Sequence, residues 1–105
     1  MFELVTKDLG RVRVGTSRTL IFPYKDIKII SLTASCGCTD VVDDKEALKV
    51  RAIYTAKPVP KHLEQQGQKE YKVNKKIIVT YRIINDQEDE IRSMELQFNA
   101  QIYKD

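Results

Sequence analysis

Between residues 91 and 103, apolar and polar side chains alternate more cleanly than anywhere else in the chain. Met94, Leu96, Phe98, Ala100 and Ile102 fall on one side, and Glu95, Gln97, Asn99 and Gln101 on the other. A period of two is that of a strand with one buried face, because successive side chains of an extended backbone point to opposite faces. Residues 73–84 carry the same signal. Val73, Ile77, Val79, Tyr81 and Ile83 share a face, interrupted by Lys75.

The rest of the chain reads the same way. Arg11-Val12-Arg13-Val14 alternates basic and apolar residues. Residues 18–22 place Leu20 and Phe22 on one face, and Pro23 ends the run. Residues 27–35 hold apolar side chains on both faces, Ile27 and Ile29 on one and Ile30, Leu32 and Ala34 on the other, which predicts a central strand or one that changes sheet midway. Residues 47–55 predict a strand with Leu48, Val50, Ala52 and Tyr54 on one face. Turns are expected at Asp8-Leu9-Gly10, Gly15-Thr16, residues 43–46 and the acidic stretch 85–90. No segment has an amphipathic helical stripe. Six to eight short strands with turn signals between them predict an all-β sandwich.

Residues 57–70 break the pattern. They contain Pro58, Pro60 and Gly67, and are otherwise mostly polar. We expect a long exposed loop with at most one helical turn near His62, and loops of this length in compact domains are usually functional or mobile.

With 105 residues the chain is expected to form one domain, residues 1–105, and to bury one core. Apolar residues are 42% and charged residues 31%, an ordinary globular balance. The net charge is +3, from 18 basic and 15 acidic residues. That balance argues against nucleic acid as the main ligand, which calls for a concentrated basic face. The start, Met1-Phe2-Glu3-Leu4-Val5, lacks the basic and apolar regions of a signal peptide, so synthesis in a cytoplasm is expected. No apolar run reaches the length of a membrane helix.

The one distinctive motif is Ser35-Cys36-Gly37-Cys38-Thr39, which follows a strand. Two thiolates at this spacing match part of a copper or zinc site, but zinc wants three or four protein ligands and His62 is the only histidine. A Cys-Gly-Cys disulfide would close a small, easily reduced ring, yet redox pairs usually have two intervening residues and sit at a helix N-terminus. The third reading is structural. Alternation puts Cys36 in register with Ile30, Leu32 and Ala34, so a thiol there serves as a small core residue, with Cys38 on the same face and Gly37 permitting a bend. This reading is preferred, and no metal or cofactor is expected.

These residues resemble a family of bacterial immunoglobulin-like domains with a Cys-Gly-Cys-Thr signature, related to the ASH (Hydin-like) and major-sperm-protein sandwiches. Asp8-Leu9-Gly10-Arg11-Val12 resembles the family's opening, Gly15 and Leu20 to Phe22 its second strand, and residues 27–39 its signature segment. The likeness covers about the first 55 residues; Pro23-Tyr24-Lys25-Asp26 and residues 43–46 depart from it. It implies an immunoglobulin-like sandwich of about seven strands used for interaction, and no enzymatic activity.

Catalytic signals are weak. A serine or cysteine nucleophile needs a base, and His62 lies in the polar loop. Asp86, Glu88, Asp89 and Glu90 lack the glycine and spacing of a calcium loop. Only Gly10, Gly15, Gly37 and Gly67 are present, so no phosphate loop exists. Lys57, Lys61, His62, Lys69 and Lys72, with Asp86, Glu88, Asp89 and Glu90, are the expected partner contacts. The partners expected are other proteins, with no nucleic acid, membrane or small-molecule substrate. The chain resembles an accessory protein of tailed phages of the crAss-like group, which implies a virion protein bound in many copies to the major capsid protein or other virion proteins. The alternative is an exported bacterial adhesion-like domain in the periplasm or at the cell surface, and the weaker one a copper or redox protein using Cys36 and Cys38.

Overall fold

The computed structural model describes residues 1–35, 37–85, 87 and 90–104. Strands β1 (Thr6–Arg13), β2 (Ser17–Pro23), β3 (Ile27–Ala34), β4 (Thr39–Asp44) and β5 (Lys49–Thr55) are followed by a short helix α1 (Lys61–Gln65) and two long strands, β6 (Glu70–Ile83) and β7 (Arg92–Tyr103). The chain is thus all-β apart from one helical turn. One sheet runs β1-β7-β6-β3 and the other β2-β5-β4. All pairs are antiparallel except β1 with β7.

The two sheets face each other across one core. β7 contributes Leu96, Phe98, Ala100 and Ile102, and β6 contributes Ile77, Val79 and Tyr81. The opposite sheet contributes Leu20, Phe22, Val50, Ala52 and Tyr54. The rings of Tyr54 and Phe98 meet edge-on at 5.4 Å and 64°, which joins the sheets near the middle. Burial of this aliphatic and aromatic surface, at roughly 25 cal/mol per Å2, is the main favourable term. At the side of the sandwich the Lys7 ammonium donates to the Ile21 carbonyl and lies 5.2 Å from the centre of the Phe22 ring, tying β1 to β2. No helix is long and apolar enough to cross a membrane among the described residues.

Four expectations need correction. Asp8-Leu9-Gly10 is not a turn but a bulge inside β1, between Asp8 and Arg11. Gly10 takes φ +69° and donates its N–H to the Asp8 carboxylate at 2.8 Å, a local bond that holds the irregular backbone in the strand. β3 is an edge strand, not a central one. A register shift between Ile29 and Ser31 rotates Ile30 out to solvent and returns Leu32 to the side of Ile27 and Ile29. One extra residue therefore makes a single apolar face look like two. β4 was not foreseen, because Thr39–Asp44 is half acidic and reads as loop. Leu48 is not in a strand: it is half-exposed in the turn before β5, at φ +54°.

Leu48 yields a prediction. A β-carbon in the left-handed region costs about 1–2 kcal/mol. Leu48→Gly removes that strain and adds some unfolded-state entropy, so a net gain of about 0.5 kcal/mol is expected in urea unfolding. A loss instead would mean that the Leu48 side chain supports Tyr24 and Ile84, beside which it lies in an apolar groove.

Candidate interaction surface

The molecule is elongated, 56 × 22 × 18 Å. β6 has 14 residues and spans roughly 45 Å at 3.3 Å per residue. The predicted contact residues therefore divide between opposite ends. Lys57, Lys61, His62, Lys69 and Lys72 gather where β6 begins, and Glu90 lies near the start of β7, beyond the far end of β6. The structure does not bring Glu90 to the basic set. Glu90 is exposed and pairs with Arg92 at 3.7 Å. Asp86, Glu88 and Asp89 lie outside the described residues.

The basic end is built on a firm base. Val59 is buried, which pins the connection between β5 and β6. The Tyr71 hydroxyl donates to the Lys57 carbonyl at 2.7 Å, and burial raises its pKa. The Leu63 and Glu64 N–H groups donate to the Pro60 carbonyl at 3.0 Å and start α1, and Glu64 pairs with Lys104. Glu70 pairs with Arg11, whose guanidinium stacks 4.4 Å from the Tyr103 ring centre. Those two acids are thus occupied. Lys57, Lys61, Lys69, Lys72 and Lys75 form no ion pair among the described residues. His62 is exposed on α1.

The lysines at residues 57–76 suggest a solvated face and a lysine-guarded edge strand, but their spacing does not show which stretch of the edge is left open. β3 has 8 residues and ends at Ala34, opposite Ile77 of β6. β6 continues to Glu70 with β7 on one side only. The mismatch in strand length was the available signal, and it was masked because pairing partners are not visible in a single sequence. On the outer face, an open cleft of about 350 Å3 beside the β1 bulge is lined by Asp8, Arg11, Lys72, Asn74, Asn99 and Gln101.

The signature motif sits in the crossing from β3 to β4. The Ser35 N–H donates to the Lys76 carbonyl at 2.9 Å, and its hydroxyl accepts from the Lys76 N–H at 3.0 Å. Gly37 is exposed and Thr39 is buried. Cys38 packs partly against the core, as the structural reading expected, but as half of a disulfide and not as a free thiol. The register expected for Cys36 falls outside the described residues. No cluster of three metal-ligating side chains occurs among the described residues. In comparisons with protein-family models, curated proteins and solved structures, nothing matches this chain.

Proposed function

We propose that the chain is a non-catalytic, immunoglobulin-like interaction module that docks its basic end onto acidic surfaces of other proteins, as an accessory protein held in many copies on a phage virion. The observation that carries the docking reading is the group Lys57, Lys61, Lys69 and Lys72, exposed and without ion pairs among the described residues. Unneutralised charges of one sign steer partners of the opposite sign and select against like-charged ones.

The immunoglobulin-like reading rests on the wiring. In that fold the second, fifth and fourth strands form one sheet and the third, sixth and seventh the other. The orders β2-β5-β4 and β3-β6-β7 agree with it, while β1 departs from the constant-type pattern, in which it would sit beside β2, by joining β7 in parallel.

The virion setting rests on the sequence resemblance. The second reading is an exported bacterial domain. Mass spectrometry of purified particles and of cell-envelope fractions from the source separates the two. Stoichiometric recovery in particles supports the virion role. Recovery in the envelope, from a longer precursor, sinks it and favours the exported domain.

A further inference from the structure

We infer that the open edge of β6 beside Lys72 and Asn74 is a strand-docking site for an extended segment of a partner in which acidic and apolar residues alternate. The inference rests on the docking reading above and adds the mode of binding.

The backbone argument comes first. The Lys104 N–H donates to the Lys69 carbonyl, so odd-numbered residues at the start of β6 turn their polar groups to β7. Lys76 bonds Ser35 on the other side through both its N–H and its carbonyl. The register with β7 runs without a shift from Glu70 to Tyr81. Lys72 and Asn74 therefore point their N–H and C=O groups away from β7, on the edge of β6 that lies past the bonds between Ser35 and Lys76. Both residues are exposed, and nothing else in the described structure pairs with these groups. A guest strand in line with β3 would gain a ladder of backbone bonds there.

Side chains then set the chemistry of the guest. Lys72, Asn74 and Lys76 share the outer face of the sheet, where Lys76 is paired with Glu95 at 3.6 Å and Lys72 has no acidic partner among the described residues. Tyr71 and Val73 lie half-buried on the inner face, against the core. A guest residue facing outward beside Lys72 meets an ammonium group and favours Glu or Asp. Guest residues facing inward cover Tyr71 and Val73 and favour Val or Ile. Lysines on a sheet edge guard against pairing with a like edge. Here the guard also selects, because a strand of opposite charge is admitted.

The test uses the full chain and a capped eight-residue peptide of alternating Glu and Val. The expected result is salt-sensitive binding that slows hydrogen exchange at the Lys72 and Asn74 amides. Methylating alternate backbone nitrogens of the peptide should weaken binding about tenfold, as should Asn74→Pro. Proline is tolerated there because that N–H faces away from β7; if the variant does not fold, the methylated peptide decides alone. An oligoglutamate of equal length separates charge from strand. If it binds as well as the Glu-Val peptide and methylation has no effect, strand docking is wrong while the basic end remains a docking surface. If neither peptide binds, both readings fail. If the free protein instead dimerises and Asn74→Pro abolishes this, the guest is a second copy, and the acidic partner strand is overturned.

Discussion

Replacing Phe98 by Ala is expected to lower stability by about 3–5 kcal/mol, the range for deleting a buried aromatic ring. Phe98 is 1% exposed, and its ring meets that of Tyr54 in the opposite sheet. The edge-on pair adds about 0.5–1.5 kcal/mol beyond area burial. A domain of this size has only about 5–15 kcal/mol in total, so the variant should be close to its unfolding threshold at ambient temperature. The midpoint should fall by roughly 4–8 °C for each kcal/mol lost. Ile53→Ala makes the control. Ile53 neighbours Tyr54 in β5 but is 44% exposed on the outer face, and its loss should cost about 0.5 kcal/mol or less. Circular dichroism during thermal and urea unfolding reads both. Equal, small effects at Phe98 and Ile53 would mean that the sheets do not meet at this contact.

Alkaline solution is expected to destabilise the protein steeply from about pH 10 upward. Tyr24, Tyr54 and Tyr71 all have raised pKa values, chiefly because burial disfavours the phenolate. Tyr24 also donates to the Asp43 carboxylate at 2.6 Å, and the charges of Asp43 and Asp44 oppose its ionisation further. For Tyr54, nearby Tyr71 adds a smaller contribution in the same direction. In the unfolded chain these phenols lose their protons near pH 10, while the folded chain keeps them. The folded state then binds more protons, so stability falls as pH rises. Below pH 10 the contribution is fully present. For the buried pair Tyr24 and Tyr54, the slope reaches at most about 1.4 kcal/mol per pH unit for each. Tyr24→Phe should flatten the decline and cost about 1 kcal/mol at neutral pH for the lost bond to Asp43. Urea unfolding at a series of pH values checks both. A flat profile through the phenol range would show that these hydroxyls are not held in the core.

Much of the architecture was legible in the chain. The alternation at Met94 to Ile102 named the inward face of β7 residue by residue, since a strand with one buried face has no other way to be written. The same holds for Leu20 and Phe22, and for Val50, Ala52 and Tyr54. The failures have physical causes. At Ile30 one inserted residue reverses the phase, and periodicity alone cannot distinguish a bulge from a strand buried on both sides. In β4 the inward face is carried by Thr39, Val41 and the half-buried Asp43, with Asp40 and Asp44 beside them, so pairing with β5 decides its state more than local preference does. Leu48 followed the alternation into a strand, but the backbone needed a left-handed residue to enter β5.

The candidate surface was legible in composition and hidden in geometry. Lys57, Lys61, Lys69 and Lys72 could be grouped from their spacing. What makes them a surface is that Glu64 and Glu70 are taken by Lys104 and Arg11, and that β3 stops short of the start of β6. Both facts depend on strands distant in sequence. Among the described residues, the sandwich thus carries one basic end beside one unpaired stretch of sheet edge.

If acidic partners meet the basic end of this sandwich, they must lie within bonding distance of its lysines. The most direct measurement is zero-length carboxyl-to-amine crosslinking of the native assembly from the source, followed by mass spectrometry. Crosslinks are expected from Lys57, Lys61, Lys69 and Lys72 to Asp or Glu residues of another polypeptide. Crosslinks to partners that avoid these lysines, and arise only from residues elsewhere on the sandwich, would contradict docking at the basic end.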